Sequence, residues 1–406
     1  MCYLPPRWRD VNRERGLRYH VGMSLGERQA MAQTFDLDLC RAVGDSADRL
    51  VSTQIFMSGG SAELTTKNIT RELYEVARGL HQEPLTYLAA KGLLERVEPR
   101  RSVVLCAGFF DPPSMIDEAD GPVGAALLAR ALCMAFDATP VFLTEVANMG
   151  RMQQLSEAMG MEVVPHRLAK TTPFKASLFP LPIEPGRAAR EAVRLLDETD
   201  PAAVIAIEKP APGTNGHYHT GIGLQVSDVV GKVDHVFDEA RRRGIWTVGM
   251  GDGGNEVGMG NILSTVQDVI PTGKTIGATV QTDLLVVGAV ANWASYGVEA
   301  CLAAALHAPE VLHGSLEEAR VQEAAARAGL IDPASGWATG WVDGTPPICS
   351  ASMLELLRQM VELRLLRQRE NSIVNFPKRW VARGAADETI AVWADELAKR
   401  EAAYFE

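Results

Sequence analysis

Residues 249–261, GMGDGGNEVGMGN, place two carboxylates and a carboxamide among closely spaced glycines. Asp252 and Glu256 can exchange protons with a bound molecule, and Asn255 can orient one. The glycines let backbone amides near Gly253 and Gly254 come close enough to hold a carboxylate or an oxyanion. A further acid stands in Glu208-Lys209-Pro210, where Pro210 biases Lys209 towards extended backbone and the ammonium is a candidate anion anchor. His217-Tyr218-His219 sets two imidazoles two residues apart, on one side of the chain if it is extended there. Glu208, Lys209, Asp252, Asn255, Glu256 and His219 are therefore candidate catalytic groups. Phe109, Asp120, Gly121, His217, Tyr218, Gly253, Gly254, Asn292, Trp293 and Tyr296 are candidates for holding the substrate, with Phe109 and Trp293 as walls.

These groups need a frame, and the apolar runs supply one. Val103 to Ala107, Val141 to Thr144, Met161 to Val164, Ala203 to Ile207, Ile245 to Val248 and Leu284 to Val287 read as short buried strands. Helical stretches at 123–136, 187–196 and 229–243 separate several of them. The alternation predicts an α/β fold, a doubly wound and mainly parallel sheet with helices on both faces. Ligands bind such sheets beyond the carboxyl ends of the strands, where the strand order reverses, and the polar groups named above follow strands one, four, five and six. Helical spacing at 36–54 and 65–94, punctuated by Asn68 and Pro84, makes residues 1–100 a mainly helical lead-in packing on the core, with 1–40 showing no clear period. Residues 101–345 form the α/β core, and 346–406 a helical C-terminal extension: Met353, Leu356, Leu357, Met360 and Val361 make one amphipathic helix and 388–403 another, each expected to pack on the core or on a second copy.

Composition narrows the partners. A formal charge of −11 opposes binding to nucleic acid through bulk electrostatics, and no apolar run reaches membrane-spanning length. The six cysteines include no CxxC pair and read as reduced thiols of a cytoplasmic protein. A small molecule is the expected partner, with homo-oligomerisation open.

Several motifs have competing readings. Gly249, Gly251 and Gly254 fit GxGxxG, yet Asp252 and Glu256 would repel a diphosphate. Gly273-Lys274-Thr275 resembles the end of a phosphate loop, but Asp268 occupies the place of its first glycine, so a turn is expected. The 58–63 segment SGGSAE reads as an interhelical loop. His217 and His219 lack a third zinc ligand. No metal is expected to be needed; if magnesium or manganese binds, Asp252 and Glu256 are the pair that suits a hard cation, and helix capping accounts for the same pair.

IEKPAPGTNGHYHTGIG, GIWTVGMGDGGNEVGMGNI and TDLLVVGAVANWASYGVEACLAAAL, in that order after CAGFF and EADGPVGAALLARAL, closely resemble the D-glutamate cyclase family over residues 47–342. Ala294-Ser295 stands where that family typically has a glycine pair. The resemblance implies an α/β carbon–oxygen lyase that reversibly dehydrates D-glutamate to 5-oxo-D-proline without an organic cofactor. Lactam closure needs a deprotonated amine, a protonated leaving oxygen and donors for an oxyanion. Glu208 or Glu256 is expected to take the amine proton, Asp252 to pass one to the departing hydroxyl, Lys209 and the glycine amides to hold an anion, and His219, Tyr218 and Asn292 to orient. Alternatives are ring closure of another amino acid such as S-adenosylmethionine, a nucleotide-dependent oxidoreductase, and an inert amino-acid-binding module.

Overall fold

The computed structural model describes residues 35–55, 67–111, 115–368, 373–375, 378, 381 and 386–405. The first 34 residues and the 58–63 turn lie outside these. Among the described residues three helices come first, α1 (Leu37–Val51), α2 (Ile69–His81) and α3 (Leu85–Arg96). As its position suggests, Asn68 caps α2, its side chain accepting from Arg71 N–H at 3.0 Å. The buried Asp48 of α1 accepts from the amides of Leu85 and Thr86 at the start of α3, at 2.6 and 3.0 Å. A side chain from one helix thus satisfies the orphan amides of another.

The alternating part begins with β1 (Ser102–Ala107), a short antiparallel pair β2 (Phe110–Asp111) and β3 (Ile116–Asp117), and α4 (Pro122–Phe136). It continues through β4 (Thr139–Thr144), α5 (Met149–Ala158), β5 (Glu162–Val163), α6 (His166–Ala169), β6 (Lys175–Pro180), α7 (Pro185–Thr199), β7 (Pro201–Ile207), α8 (Asp234–Arg243) and β8 (Trp246–Gly251). Then come α9 (Leu263–Val269), α10 (Gly273–Ile276), β9 (Leu284–Val287), α11 (Ala291–Ala305), α12 (Ser315–Arg327), α13 (Pro347–Gln368) and α14 (Ala386–Phe405). Seven strands form one parallel sheet in the order β5-β6-β4-β1-β7-β8-β9. Every residue of β1, β4 and β9 is buried, as strands covered on both faces must be.

Two expectations need correction. Among the described residues the sheet has seven strands rather than six: β6, KASLFP, carries Lys175, Ser177 and Pro180 and is only partly buried, so no continuous apolar run marks it in the sequence. The helix expected over 229–243 starts only at Asp234. Gly231 is diverted to donate its N–H to Glu145 Oε1 at 2.7 Å, which holds 229–233 out of the helix.

All fifteen residues of α11, ANWASYGVEACLAAA, are buried. Its alanines, serine and glycine let α1, α3, α4 and α13 pack closely around it. From β1 the chain turns first to β4 on one side and returns through β7 on the other. The order therefore reverses at β1, and the crevice beyond β1 and β7 is where a ligand site is expected.

Candidate active site

A carboxylate stands directly after each of three strands: Glu145 after β4, Glu208 after β7 and Asp252 after β8. The registers Ala107↔Ile207 and Ile207↔Met250 bring the ends of β1, β7 and β8 side by side. Opposite them Asp120 enters from the loop before α4. Asp120, Glu208 and Asp252 each present a carboxylate oxygen, and these three oxygens lie within 4.8 Å of one another. Gly121 makes this approach possible. It adopts φ +90°, and a β-carbon there would lie 2.7 Å from the Ile207 carbonyl oxygen and 3.0 Å from Glu208 Cβ. Glu208 itself holds φ +44°, an uncommon conformation for a residue with a side chain.

Asp120 is fixed by two helix starts. Its Oδ1 accepts from Gly121 N–H (3.0 Å) and Asn292 N–H (2.8 Å), and its Oδ2 from Ala291 N–H (2.9 Å) at the start of α11. Asn292 returns the arrangement: its Oδ1 accepts from Gly121 and Gly124 N–H (2.9 and 2.6 Å) at the start of α4. Each helix supplies the other's cap, and Asp120 sits where the two N-termini meet. The acidic glycine turn, the Glu-Lys-Pro corner and the Asn-Trp segment thus converge on one group of carboxylates. Pro210 pairs with Glu256, and Ala211 N–H and Val257 N–H donate to Asn255 and Lys209 carbonyls, lacing the corner and the turn together.

Glu208 is 7% exposed, and among the described residues its Oε2 has no hydrogen-bond partner; the same holds for Asp252 Oδ2. Burial pushes the carboxyl of Glu208 well above the usual carboxylate range, and the charges of Asp252, Glu256, Asp120 and Glu118 push it further. Burial does the same to Asp252, followed by Asp343, Asp120, Glu256 and Glu118. Asp120 rises only to about 6, because burial is opposed by its backbone amide bonds, which favour the ionised form.

Other predicted site residues are turned elsewhere. Lys209 is fully buried and its ammonium donates to both oxygens of Glu145 (2.7 and 2.8 Å) and to the Gly108 carbonyl (2.8 Å). This corrects its expected role as anion anchor. The Gly253 amide, like that of Asp252, is taken by Glu256 Oε1 (2.6 and 3.1 Å), so neither faces an oxyanion. That bond also corrects the expected Asp252–Glu256 cation pair: the carboxylates that meet Asp252 belong to Asp120 and Glu208. Gly254 has φ +96° and packs against Val266 and Ile270. Trp293 is not a wall; its indole N–H donates to Ser350 of α13 at 2.9 Å, and the side chain is fully buried. Tyr296 donates its hydroxyl to Glu318 and Tyr218 donates to Asp234, with the Lys232 ammonium 4.9 Å from the Tyr218 ring centroid. Phe109 is buried beside the loop, its carbonyl accepting from Glu118 N–H. His217 is exposed while His219 is buried, with ring centroids 6.4 Å apart; Asn255 donates its side-chain N–H to the His219 carbonyl at 2.9 Å.

Glu118, Glu145 and Asp343 belong to this neighbourhood and were not singled out from sequence. Glu145 was findable, since it ends a recognised strand at the edge where ligands bind. Asp343 comes from a turn 91 residues after Asp252 and has no local signal of its role. The GxGxxG reading meets a geometric objection: a β-carbon at Gly249 would lie 2.2 Å from the Val257 carbonyl oxygen, so the turn folds back on itself. Gly273-Lys274-Thr275 forms α10, a corner packed against the backbone of Val266.

An open parallel α/β sheet with a buried acidic group at its switch point defines the class of protein. Residues 64–358 match the family described as D-glutamate cyclase-like, C-terminal, and the chain belongs to that family. It is 28% identical over 214 residues to the protein named D-glutamate cyclase, mitochondrial, of Homo sapiens. The match covers 50% of this chain and 32% of that relative, so the chain matches about a third of the relative's length. No helix among the described residues is long and apolar enough to cross a membrane.

Proposed function

We propose that the chain catalyses reversible loss of water from D-glutamate to give 5-oxo-D-proline, as an amino-acid cyclase of the cytoplasm. Family membership and the name of the human relative support the reaction class. The observation that carries the reading here is the convergence of Asp120, Glu208 and Asp252.

In the closure the amine nitrogen bonds to the side-chain carboxyl carbon and one carbon–oxygen bond breaks. The ammonium starts with three protons and the lactam nitrogen keeps one, so the other two leave on the departing oxygen as water. No net proton, electron or co-reactant is consumed. What the protein must supply is a place for the ammonium and groups that take protons and return them. Closely set carboxylates do both. Asp120, held by amides, is the fixed negative charge that seats the ammonium. Glu208 and Asp252, each with an unpartnered oxygen, are the groups that pass protons from nitrogen to the leaving oxygen. Holding the substrate folded, with its amine against its own carboxyl, removes much of the entropic barrier.

Incubation with D- and L-glutamate, both 5-oxoprolines and S-adenosylmethionine, with products identified by NMR, tests this. D-Glutamate and 5-oxo-D-proline are expected to interconvert, and Glu208→Gln to lower the rate by at least about 100-fold. A folded chain that interconverts neither pair refutes the reading. One observation favours a second substrate: an acidic site suits a cationic amino acid, and release of methylthioadenosine from S-adenosylmethionine with no lactam formed would establish that reading instead.

A further inference from the structure

We infer that Asp120, Glu208 and Asp252 are the ligands of one hard divalent cation, of the size and charge of magnesium or manganese. The inference rests on the cyclase reading only for what the cation does; whether it binds is a separate question.

Three carboxylates each bring one oxygen within 4.8 Å of the other two, close enough for a single ion to bridge them. An all-oxygen, all-carboxylate donor set selects hard cations over zinc or copper. Glu208 is more than nine-tenths buried and its Oε2 has no partner among the described residues; Asp252 is half-buried, and its Oδ2 is inaccessible and likewise unpartnered. Buried polar atoms are nearly always satisfied, so two orphan carboxylate oxygens on side chains of one group call for a bound group that offsets their charge. The ammonium of Lys209, next to Glu208 in the chain, is already committed to Glu145 and the Gly108 carbonyl. Asp120 is prepared for ligation as well. Its Oδ2 accepts one amide hydrogen and keeps a lone pair, while the amides of Gly121, Ala291 and Asn292 fix its orientation in the way that outer hydrogen bonds fix metal ligands.

A cation also resolves a difficulty of the proposed reaction. D-Glutamate carries two carboxylates and must enter a site walled by acids. A divalent ion on the three side chains would leave coordination positions for a substrate carboxylate. One oxygen each of Glu208 and Asp252 suffices for the ion, leaving the other on each to exchange protons with the ammonium.

Titration of the chelator-treated chain with manganese chloride, followed by electron paramagnetic resonance and calorimetry, tests the inference. One manganese ion per chain is expected, displaced by magnesium. Glu208→Gln and Asp252→Asn are each expected to weaken binding by at least about 10–100-fold, the loss typical even of outer-sphere changes, while Glu323→Gln, on an exposed part of α12, binds as the wild type does. Manganese should raise the thermal midpoint of the wild type and not that of Glu208→Gln. This second readout applies because removing one repelled carboxylate is expected to leave the variant folded. A folded wild-type chain that takes up none of manganese, magnesium or calcium at millimolar concentration overturns the inference, and so does binding that both variants retain. Lactam formation undiminished in chelator would leave the cyclase reading standing without a cation; manganese binding without turnover of glutamate would do the reverse.

Discussion

Glu208 and Lys209 are neighbours in the chain, yet the carboxylate joins Asp120 and Asp252 while the ammonium turns to Glu145 and the Gly108 carbonyl. Sequence showed both as candidates for chemistry because both follow a strand at the edge where ligands bind. It did not show that a second charge, 64 residues earlier at the end of β4, claims the lysine. Desolvating both ions is costly, and the pair is held by excellent geometry: Glu145 also accepts from Gly231 N–H and the Thr144 hydroxyl. Removing only the cation leaves Glu145 charged and buried. Lys209→Met is therefore expected to lower unfolding free energy by about 3–5 kcal/mol in urea titration, and adding Glu145→Gln to recover most of it. A loss under about 1 kcal/mol for the single variant would mean that the pair is solvated, contrary to its complete burial.

At the scale of elements, the strands with unbroken apolar runs and the helices with clear stop signals were legible, and close packing was not. Gly44 in α1 and Gly79 in α2 look alike in sequence. A β-carbon at Gly44 would meet Tyr87 Cβ at 2.7 Å and Tyr87 N at 3.1 Å, both held by α3, whereas at Gly79 it would meet nothing within 4 Å. Helix propensity favours alanine at both sites by about 1 kcal/mol. Gly79→Ala is accordingly expected to stabilise by roughly 0.5–1 kcal/mol, and Gly44→Ala to destabilise by roughly 1–3 kcal/mol because overpacking wins there; equal signs in urea titration would contradict the packing. The joint between α11 and α12 was equally hidden. His313 is fully buried, with Nδ1 2.7 Å from Glu299 and Nε2 3.2 Å from Glu318, and its ring meets Tyr296 edge-on at 4.6 Å. Burial works to lower its pKa, but the two glutamates prevail and raise it to about 9. Because the folded value exceeds the unfolded one, this stabilisation is complete below about pH 6.5 and is lost as pH rises through about 9, an amount on the order of 3 kcal/mol. Urea midpoints should fall between pH 7 and 10 for the wild type, with a flatter slope for His313→Gln.

Across the whole molecule, the rule that ligands bind where strand order reverses turned scattered polar residues into one site. Asp120, Glu208 and Asp252, from three separate segments, do meet there. Long-range partners escaped it, since nothing local to Glu118 or Asp343 says which loop they face. The C-terminal helix shows the same boundary between pattern and packing. Its helical period was legible, and α14 spans Ala386–Phe405. The apolar positions, though, do not enter the core: Ile390, Val392, Trp393 and Leu397 are 52–68% exposed. By contrast Met353, Leu357 and Val361 of α13 are buried, and α13 packs on α11 and α1, while Leu356 on the same helix points outward at 53% exposure. Stability should therefore divide between the two helices. A chain ending after residue 385 loses little buried apolar surface and is expected to unfold within about 0.5 kcal/mol of the full chain in urea, the range usual for surface changes. Leu357→Ala in α13 removes a side chain with no exposure and is expected to cost about 2–5 kcal/mol. If the truncation proved the more damaging of the two, α14 would have to be covered by protein surface in solution.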